Sequence, residues 1–307
     1  MDRASERESL AAAQKQIDFL TAELRQFSRL VRNFDPAPGE IPEVPWIDVY
    51  GKALSRNGQI GGDHIIYVDF KKRYKMDKLI REAPEALKEK LRTTAGRAGI
   101  VVLDVEGHDY GSAFIASVFH QAFLLGVSYE LKFFGEITTT LFENINTRFF
   151  NSSGIYKTLT MVYGEISENG TFRFLSAAHP PPVVFSSEFD RLVAISEDRL
   201  VSFPQIGTMP SPGNSEKAVP LLGVKEKYTV NEISLMGRGD ILVLYTDGLS
   251  DHRDAQKQRY FPERLEEVLK ASKNLPAKDI YRRIKRDMLA FNPKPEDDVT
   301  VVIIKKT

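Results

Sequence analysis

Aspartates stand beside strand-like runs at four widely separated places in this chain. They are Gly61-Gly62-Asp63, Leu103-Asp104-Val105-Glu106-Gly107-His108, Leu244-Tyr245-Thr246-Asp247-Gly248 and Glu296-Asp297-Asp298-Val299-Thr300. Carboxylates at strand ends, joined to glycines and far apart in sequence, suit a site gathered from distant parts of one fold. Aspartate oxygens are the usual ligands of hard divalent cations such as Mg²⁺ and Mn²⁺. Two such ions a few Å apart can bind a phosphate ester and generate the hydroxide that attacks it. The residues therefore predict a metal-dependent phosphatase.

Each aspartate also has a plainer reading. Asp63 after paired glycines and Asp247 in a Thr-Asp-Gly turn are ordinary turn residues. Asp104 follows Val101-Val102-Leu103 directly, where a buried carboxylate is costly without a cation or several donors. Asp297 and Asp298 are adjacent, so a strand starting there turns them in different directions, one toward a metal and one toward backbone donors. His108 has the neutral-range pKa of a proton-transfer group, but a structural imidazole tying its loop together is the simpler reading. His179, before a run of prolines, reads as structural.

Composition removes several alternatives. The 307 residues carry 42 basic and 42 acidic side chains, a formal net charge of zero, with no basic stripe of the kind nucleic acids attract. A metal-dependent nuclease is therefore a poor second. There is no cysteine, which excludes disulfides, thiolate metal sites and a phosphocysteine mechanism. The start of the chain, with Asp2, Arg3, Glu6, Arg7 and Glu8, has no signal-like apolar core, and no run reads as a membrane span. The expectation is a cytoplasmic protein with no membrane or nucleic-acid partner.

The elements that must position the aspartates follow from periodicity. Leu10, Ala13, Ile17, Leu20, Leu24, Phe27, Val31 and Phe34 recur at alternating spacings of three and four, a heptad-like seam ended by Pro36 and Pro38. Two readings stay open for it: an amphipathic helix lying on its own domain, or a helix pairing two subunits through residues 10–34. Residues 1–35 are thus an amphipathic element, 36–45 a linker, and 46–307 the domain holding the aspartates. Strands are expected at 46–53, 65–70, 100–105, 158–166, 171–177, 183–185, 226–234, 240–245 and 299–304. Helices are expected at 112–126, 136–149, 262–269 and 277–289. The charged stretch 71–90 reads as a solvated insertion with a helix interrupted near Pro84, and 201–217 as loop. Asn169-Gly170 marks a hairpin. Strands in this number, with helices before and after, predict β-sheets packed face to face with helices outside.

From about Trp46 to Lys306 the chain resembles the metal-dependent protein serine/threonine phosphatases, in the branch typified by bacterial sporulation and stress-response phosphatases of SpoIIE or RsbU type. The family motifs Gly-Gly-Asp, Asp-Val-Ser-Gly-His-Gly, Ala-Gly-His-Pro-Pro, Tyr-Thr-Asp-Gly and Asp-Asp-hydrophobic-Thr occur here in order. Their counterparts are Gly61-Gly62-Asp63, Asp104-Val105-Glu106-Gly107-His108-Asp109, Ala177-Ala178-His179-Pro180-Pro181, Tyr245-Thr246-Asp247-Gly248 and Asp297-Asp298-Val299-Thr300. The resemblance implies an α+β fold, an α-β-β-α sandwich of two antiparallel sheets flanked by helices, with two ions, Mn²⁺ or Mg²⁺, in a cleft at one end. It implies that Asp104 bridges both metals, that Asp63 and the Val105 carbonyl serve one, and that Asp247 and Asp297 serve the other. It also implies a phosphorylated protein substrate, an anti-anti-sigma-type regulator. Departures are Glu106, Asp109, Ser112 and Ala178, together with Ile66 where a second aspartate is common. Glu106 and Asp109 add carboxylates that repel phosphate or hold a third cation, and Asp109 replaces a glycine whose φ could be positive. These departures sustain a competing reading: a degenerate pseudophosphatase or regulatory interaction domain.

Overall fold

The computed structural model describes residues 3–36, 40–56, 58, 60–152, 157–193, 195, 200–213, 223–234 and 237–307. Pro38 and residues 214–217 of the expected loop lie outside the described residues. The chain opens with helix α1 (Arg3–Arg32), then β1 (Ile47–Leu54) and β2 (His64–Asp69). Three short helices follow, α2 (Phe70–Arg73), α3 (Met76–Glu82) and α4 (Glu85–Ala95), leading into β3 (Arg97–Val105). The long pair α5 (Tyr110–Phe134) and α6 (Thr139–Asn151) precedes β4 (Leu159–Ser167), β5 (Phe172–Ala177), β6 (Val183–Ser186) and β7 (Arg191–Val193). Then come β8 (Ser202–Phe203), β9 (Asn231–Ile233), β10 (Ile241–Tyr245) and α7 (Asp247–Ser250), and finally α8 (Glu263–Ser272), α9 (Ala277–Phe291) and β11 (Val299–Lys306).

The strands form two sheets. One runs β1-β11-β10-β6-β7; the other runs β2-β3-β4-β5-β8, with β9 also on β5. All pairings are antiparallel except β5 with β8. Strand alternation sorts the apolar residues into three layers. Ile65, Tyr67, Ile100, Val102, Leu242, Leu244, Val302 and Ile304 meet between the sheets. Ile66, Val68, Val101 and Leu103 instead face α5 and α6, packing on Phe119, Phe123 and Phe142. Val243, Val301 and Ile303 face α8 and α9, packing on Leu265, Ile280 and Ile284. Helix, sheet, sheet, helix is the expected α-β-β-α order.

Several local expectations are corrected. Tyr110–Phe133 is long and apolar enough to cross a membrane, contrary to the reading that no run qualifies. In the fold Phe119, Phe123, Val127 and Leu131 of this helix are fully buried against the second sheet, so that face serves a core, while Phe114, Leu125, Tyr129 and Phe133 on the other face are exposed. Residues 71–90 are not simply a solvated insertion, because Met76 and the adjoining Leu91 are 1% exposed and belong to that same core. Phe70 begins α2 rather than ending a strand, since Asp69 caps that helix by accepting from Lys72 N at 3.0 Å. Only Asn231–Ile233 of the strand expected at 226–234 is paired.

Along α1 only the last turns find cover within the chain. Phe27 meets Tyr110 of α5 edge-on at 5.8 Å, and Phe34 lies 5.6 Å from the His120 ring. Upstream, Leu10, Ile17, Leu20 and Leu24 are exposed.

Candidate functional site

Strand parity brings the aspartates together. In β2 and β3 the odd positions 65 and 67 and the even positions 100 and 102 point between the sheets, so Asp63 and Asp104, two residues beyond in each direction, share that side. In β10 and β11 the even positions do the same, which places Thr246, Asp298 and Thr300 on the inner side at the same end of the sandwich. Asp63 is the buried hub. Its Oδ2 accepts from Thr246 Oγ1 at 2.7 Å and from Thr300 Oγ1 at 2.8 Å, linking the two sheets at their rim. Thr246 Oγ1 in turn accepts from Thr300 N at 2.9 Å.

Asp298 takes the backbone role left open for this pair of aspartates. It is buried, and its carboxylate accepts from Arg56 N at 2.7 Å and Gly62 N at 2.8 Å. Asp297 lies exposed beside it, accepting from Asp298 N at 2.8 Å. This close approach explains the paired glycines: a Cβ on Gly61 would stand 1.9 Å from Asp298 Oδ2, and one on Gly62 would stand 2.2 Å from the Val105 carbonyl oxygen. The narrow space left by Gly62 keeps that carbonyl uncovered by a side chain.

Charge accumulates here. Burial, followed by the charges of Asp247, Asp297 and Asp298, pushes the Asp104 carboxyl up to about 7. Burial and then the Asp104 charge hold Asp63 well above the usual carboxylate range, despite the two threonine donors. Asp247 and Asp298 are raised as well, each mainly by burial. The neighbouring charges that act most strongly on Asp104 are carboxylates. An oxygen-only, mutually repelling set beside the Val105 backbone carbonyl suits a hard divalent cation. Yet among the described residues no three His, Asp or Glu side chains converge tightly enough to form a ready-made metal cage. The set has the right chemistry for Mg²⁺ or Mn²⁺ in a loosely drawn arrangement. A cavity of about 320 Å³ reaches Asp63 and Asp298 from the side of Arg32 and Asp35.

The departures from the motif pattern have local explanations. Asp109 has φ −110° and caps α5, accepting from Ser112 N at 2.9 Å. Nothing at that position requires glycine. Lys157 Nζ reaches both its oxygens at 2.9 and 2.8 Å and holds its carboxyl down to about 2, so it brings no uncompensated charge to the site. Glu106 turns to Thr158 Oγ1 at 3.1 Å. Ile66 lies in the helix-side core, where a second aspartate would be buried among hydrocarbon. Ala178 adopts φ +51°, a left-handed conformation that favours glycine. His108 Nε2 stands 3.1 Å from Arg56 Nη1 at the loop that also holds Gly61. His179 is buried with Nδ1 2.8 Å from Thr160 Oγ1, and burial lowers its pKa to about 3, as a structural imidazole requires.

Sequence reasoning missed Thr246 and Thr300 as carboxylate holders, although both stand inside the quoted motifs. It also missed Lys157, for which the sequence offers no signal.

A family described as Stage II sporulation protein E (SpoIIE) matches residues 94–307. The chain belongs to this family. Its fold is similar to the SiaA-PP2C domain of Pseudomonas aeruginosa, at TM-score 0.61 and 15% identity, covering 97% of this chain and 99% of that one. It is also similar to the RsbU and RsbW domains of Rv1364c from Mycobacterium tuberculosis, at TM-score 0.61 and 18% identity, covering 88% and 64%. Protein IcfG of Synechocystis sp. is 26% identical over 149 residues, 47% of this chain. The chain spans about one fifth (20%) of that relative's length.

Proposed function

We propose that this chain hydrolyses phosphoserine or phosphothreonine esters on a protein, using two divalent cations, Mn²⁺ or Mg²⁺. The supporting observation is the rim of aspartates drawn from both sheets, in which the strongest charges on Asp104 are those of Asp247, Asp297 and Asp298. Asp63, Asp104, Asp247, Asp297 and the Val105 carbonyl would hold the cations. When bound, such a pair polarises phosphoryl oxygens and lowers the pKa of water toward neutrality. The chain supplies the positioning. Thr246 and Thr300 fix the Asp63 carboxylate, and Asp298 fixes the Gly61-Gly62 backbone against Val105. His108, beside Arg56, is placed to move a proton at its imidazole near this rim. With no thiol in the chain, water rather than a phosphocysteine is the attacking group. The domain responsible is residues 46–307, acting in the cytoplasm in bacterial stress or sporulation-type signalling. The family resemblance supports an anti-anti-sigma-type phosphoprotein as substrate.

The loose arrangement of the carboxylates favours one competing reading, a pseudophosphatase that keeps the fold for interaction alone. Turnover of p-nitrophenyl phosphate with Mn²⁺ separates the two. Chelator-sensitive turnover that falls at least a hundredfold in Asp104→Asn and Asp247→Asn supports the enzyme. Bound Mn²⁺ without turnover of the dye or of phosphoproteins would leave the interaction domain.

A further inference from the structure

A second cavity, of about 500 Å³, opens beside Asp247. Its walls are apolar at Phe174, Pro180, Pro181, Leu200 and Val201 and polar at Thr160, Ser176, His179 and Ser202, and among the described residues no lysine or arginine lines it. Val201 is 46% exposed. It is nevertheless held firmly. The buried Asn231 side chain accepts from Val201 N at 2.8 Å and donates to Val201 O at 2.8 Å, a two-point clamp on an exposed apolar residue. The neighbouring β8 is fixed by its parallel pairing with β5.

We infer that this cavity is a specificity pocket for an apolar side chain flanking the phosphorylated residue of the substrate. The inference rests on the phosphatase reading and deepens it. Asp247 belongs both to the carboxylate rim and to the cavity wall, so a phosphate seated at the rim places the next residues of an extended segment over the pocket. A strand rises about 3.3 Å per residue, which keeps the immediate flanks within reach. Among the described residues the pocket has no cation to receive an acidic flank, and Asp247 repels one. Its apolar walls favour a residue such as leucine, isoleucine or valine. A size of a few hundred Å³ is typical of pockets that select their occupant by shape.

Three fluorescein-labelled decapeptides test this, each with a central phosphoserine flanked on both sides by leucine, aspartate or lysine. With Mn²⁺, the leucine peptide is expected to show at least tenfold higher kcat/KM than the aspartate peptide, and to exceed the lysine peptide. In Val201→Glu the ratio of kcat/KM for the leucine peptide to that for p-nitrophenyl phosphate should fall at least tenfold, while Val201→Leu should preserve it. Equal use of the three peptides, preference for lysine, or an unchanged ratio in Val201→Glu would overturn the pocket. If the wild type turns over neither p-nitrophenyl phosphate nor any of the phosphopeptides, the phosphatase reading fails separately. Fluorescence polarisation of the same peptides then still decides the pocket: leucine-selective binding lost in Val201→Glu supports it, and equal binding overturns it.

Discussion

Thr300 donates its hydroxyl to Asp63 across the sandwich, Oγ1 to Oδ2 at 2.8 Å, although 237 residues separate them. Together with Thr246 it gives a buried carboxylate two hydroxyl donors. Thr300→Val keeps the shape and removes one donor, so it should destabilise the protein by roughly 1–3 kcal/mol. Thr246→Val should do the same, and because both act on one oxygen the double variant should cost less than the sum. Urea unfolding of the four proteins checks this. Additive effects would mean that the two hydroxyls do not share Asp63.

The pH dependence of the cation-free protein follows from Asp104. Its carboxyl is raised from 3.8 to about 7 in the fold. A raised folded-state pKa gives stability that is complete below the unfolded value and is lost as pH rises to the folded one. Between about pH 4 and pH 7, then, Asp104 progressively weakens the fold. His64 at about 3, His120 at about 4 and His179 at about 3, all lowered chiefly by burial, act in the opposite direction over part of this range. The test is therefore a difference. In chelator, Asp104→Asn should gain stability over wild type as pH rises from about 4, levelling off above about 7. Saturating Mn²⁺ should reverse the order, because cation binding requires the ionised carboxylate. A difference that does not change with pH would contradict the raised Asp104.

Much of this arrangement is legible in the sequence. The apolar alternation of Val101-Val102-Leu103 and Ile241-Leu242-Val243-Leu244 gives the strands, and the motif order gives the sandwich. Parity alone, applied to Leu242 and Leu244, would have turned Thr246 inward, and applied to Val302 it would have turned Thr300 inward. Other features depend on contacts that no local pattern encodes. Lys157 meets Asp109 only because β4 starts beside the loop after β3. The burial of Met76 in the first core arises from how three short helices fold back on β3, which hides it within a charged stretch. The missing glycine at Asp109 looked damaging because its φ was unknown, whereas Ala178 carries the strain.

Ala178→Gly should accordingly stabilise the protein. The left-handed conformation costs a non-glycine residue roughly 1–2 kcal/mol, and glycine's extra freedom in the unfolded chain returns roughly 0.5–1 kcal/mol of that. A net gain of about 0.5–1 kcal/mol is expected in urea unfolding. No gain would mean that Ala178 escapes the φ of +51° in solution.

Asp109 should behave as a cap rather than an inhibitor. Removing its bonds to Ser112 and Lys157 by Asp109→Ala should lower stability by about 0.5–2 kcal/mol, the range for losing an N-cap. Its ion pair, being largely exposed on the carboxylate side, adds little to that figure. Turnover of p-nitrophenyl phosphate should not rise. A several-fold increase in Asp109→Ala would show instead that this carboxylate repels the substrate.

The exposed stripe of α1 supplies the last expectation. Ile17 and Leu24 lie two turns apart on one face and are 56% and 43% exposed among the described residues. Apolar side chains of this size gain roughly 1.5–3 kcal/mol each when fully buried, before ordering costs. A second copy of the same stripe offers that burial at a heptad spacing. Sedimentation should therefore show self-association of the intact chain at micromolar concentration, and Ile17→Glu with Leu24→Glu should shift it to monomer. The C-terminal turns, anchored through Phe27 and Phe34 on α5, should stay in place, so the circular dichroism and unfolding midpoint of the domain should hold. A wild-type monomer across that concentration range would leave the stripe for a helical partner or for packing on its own domain.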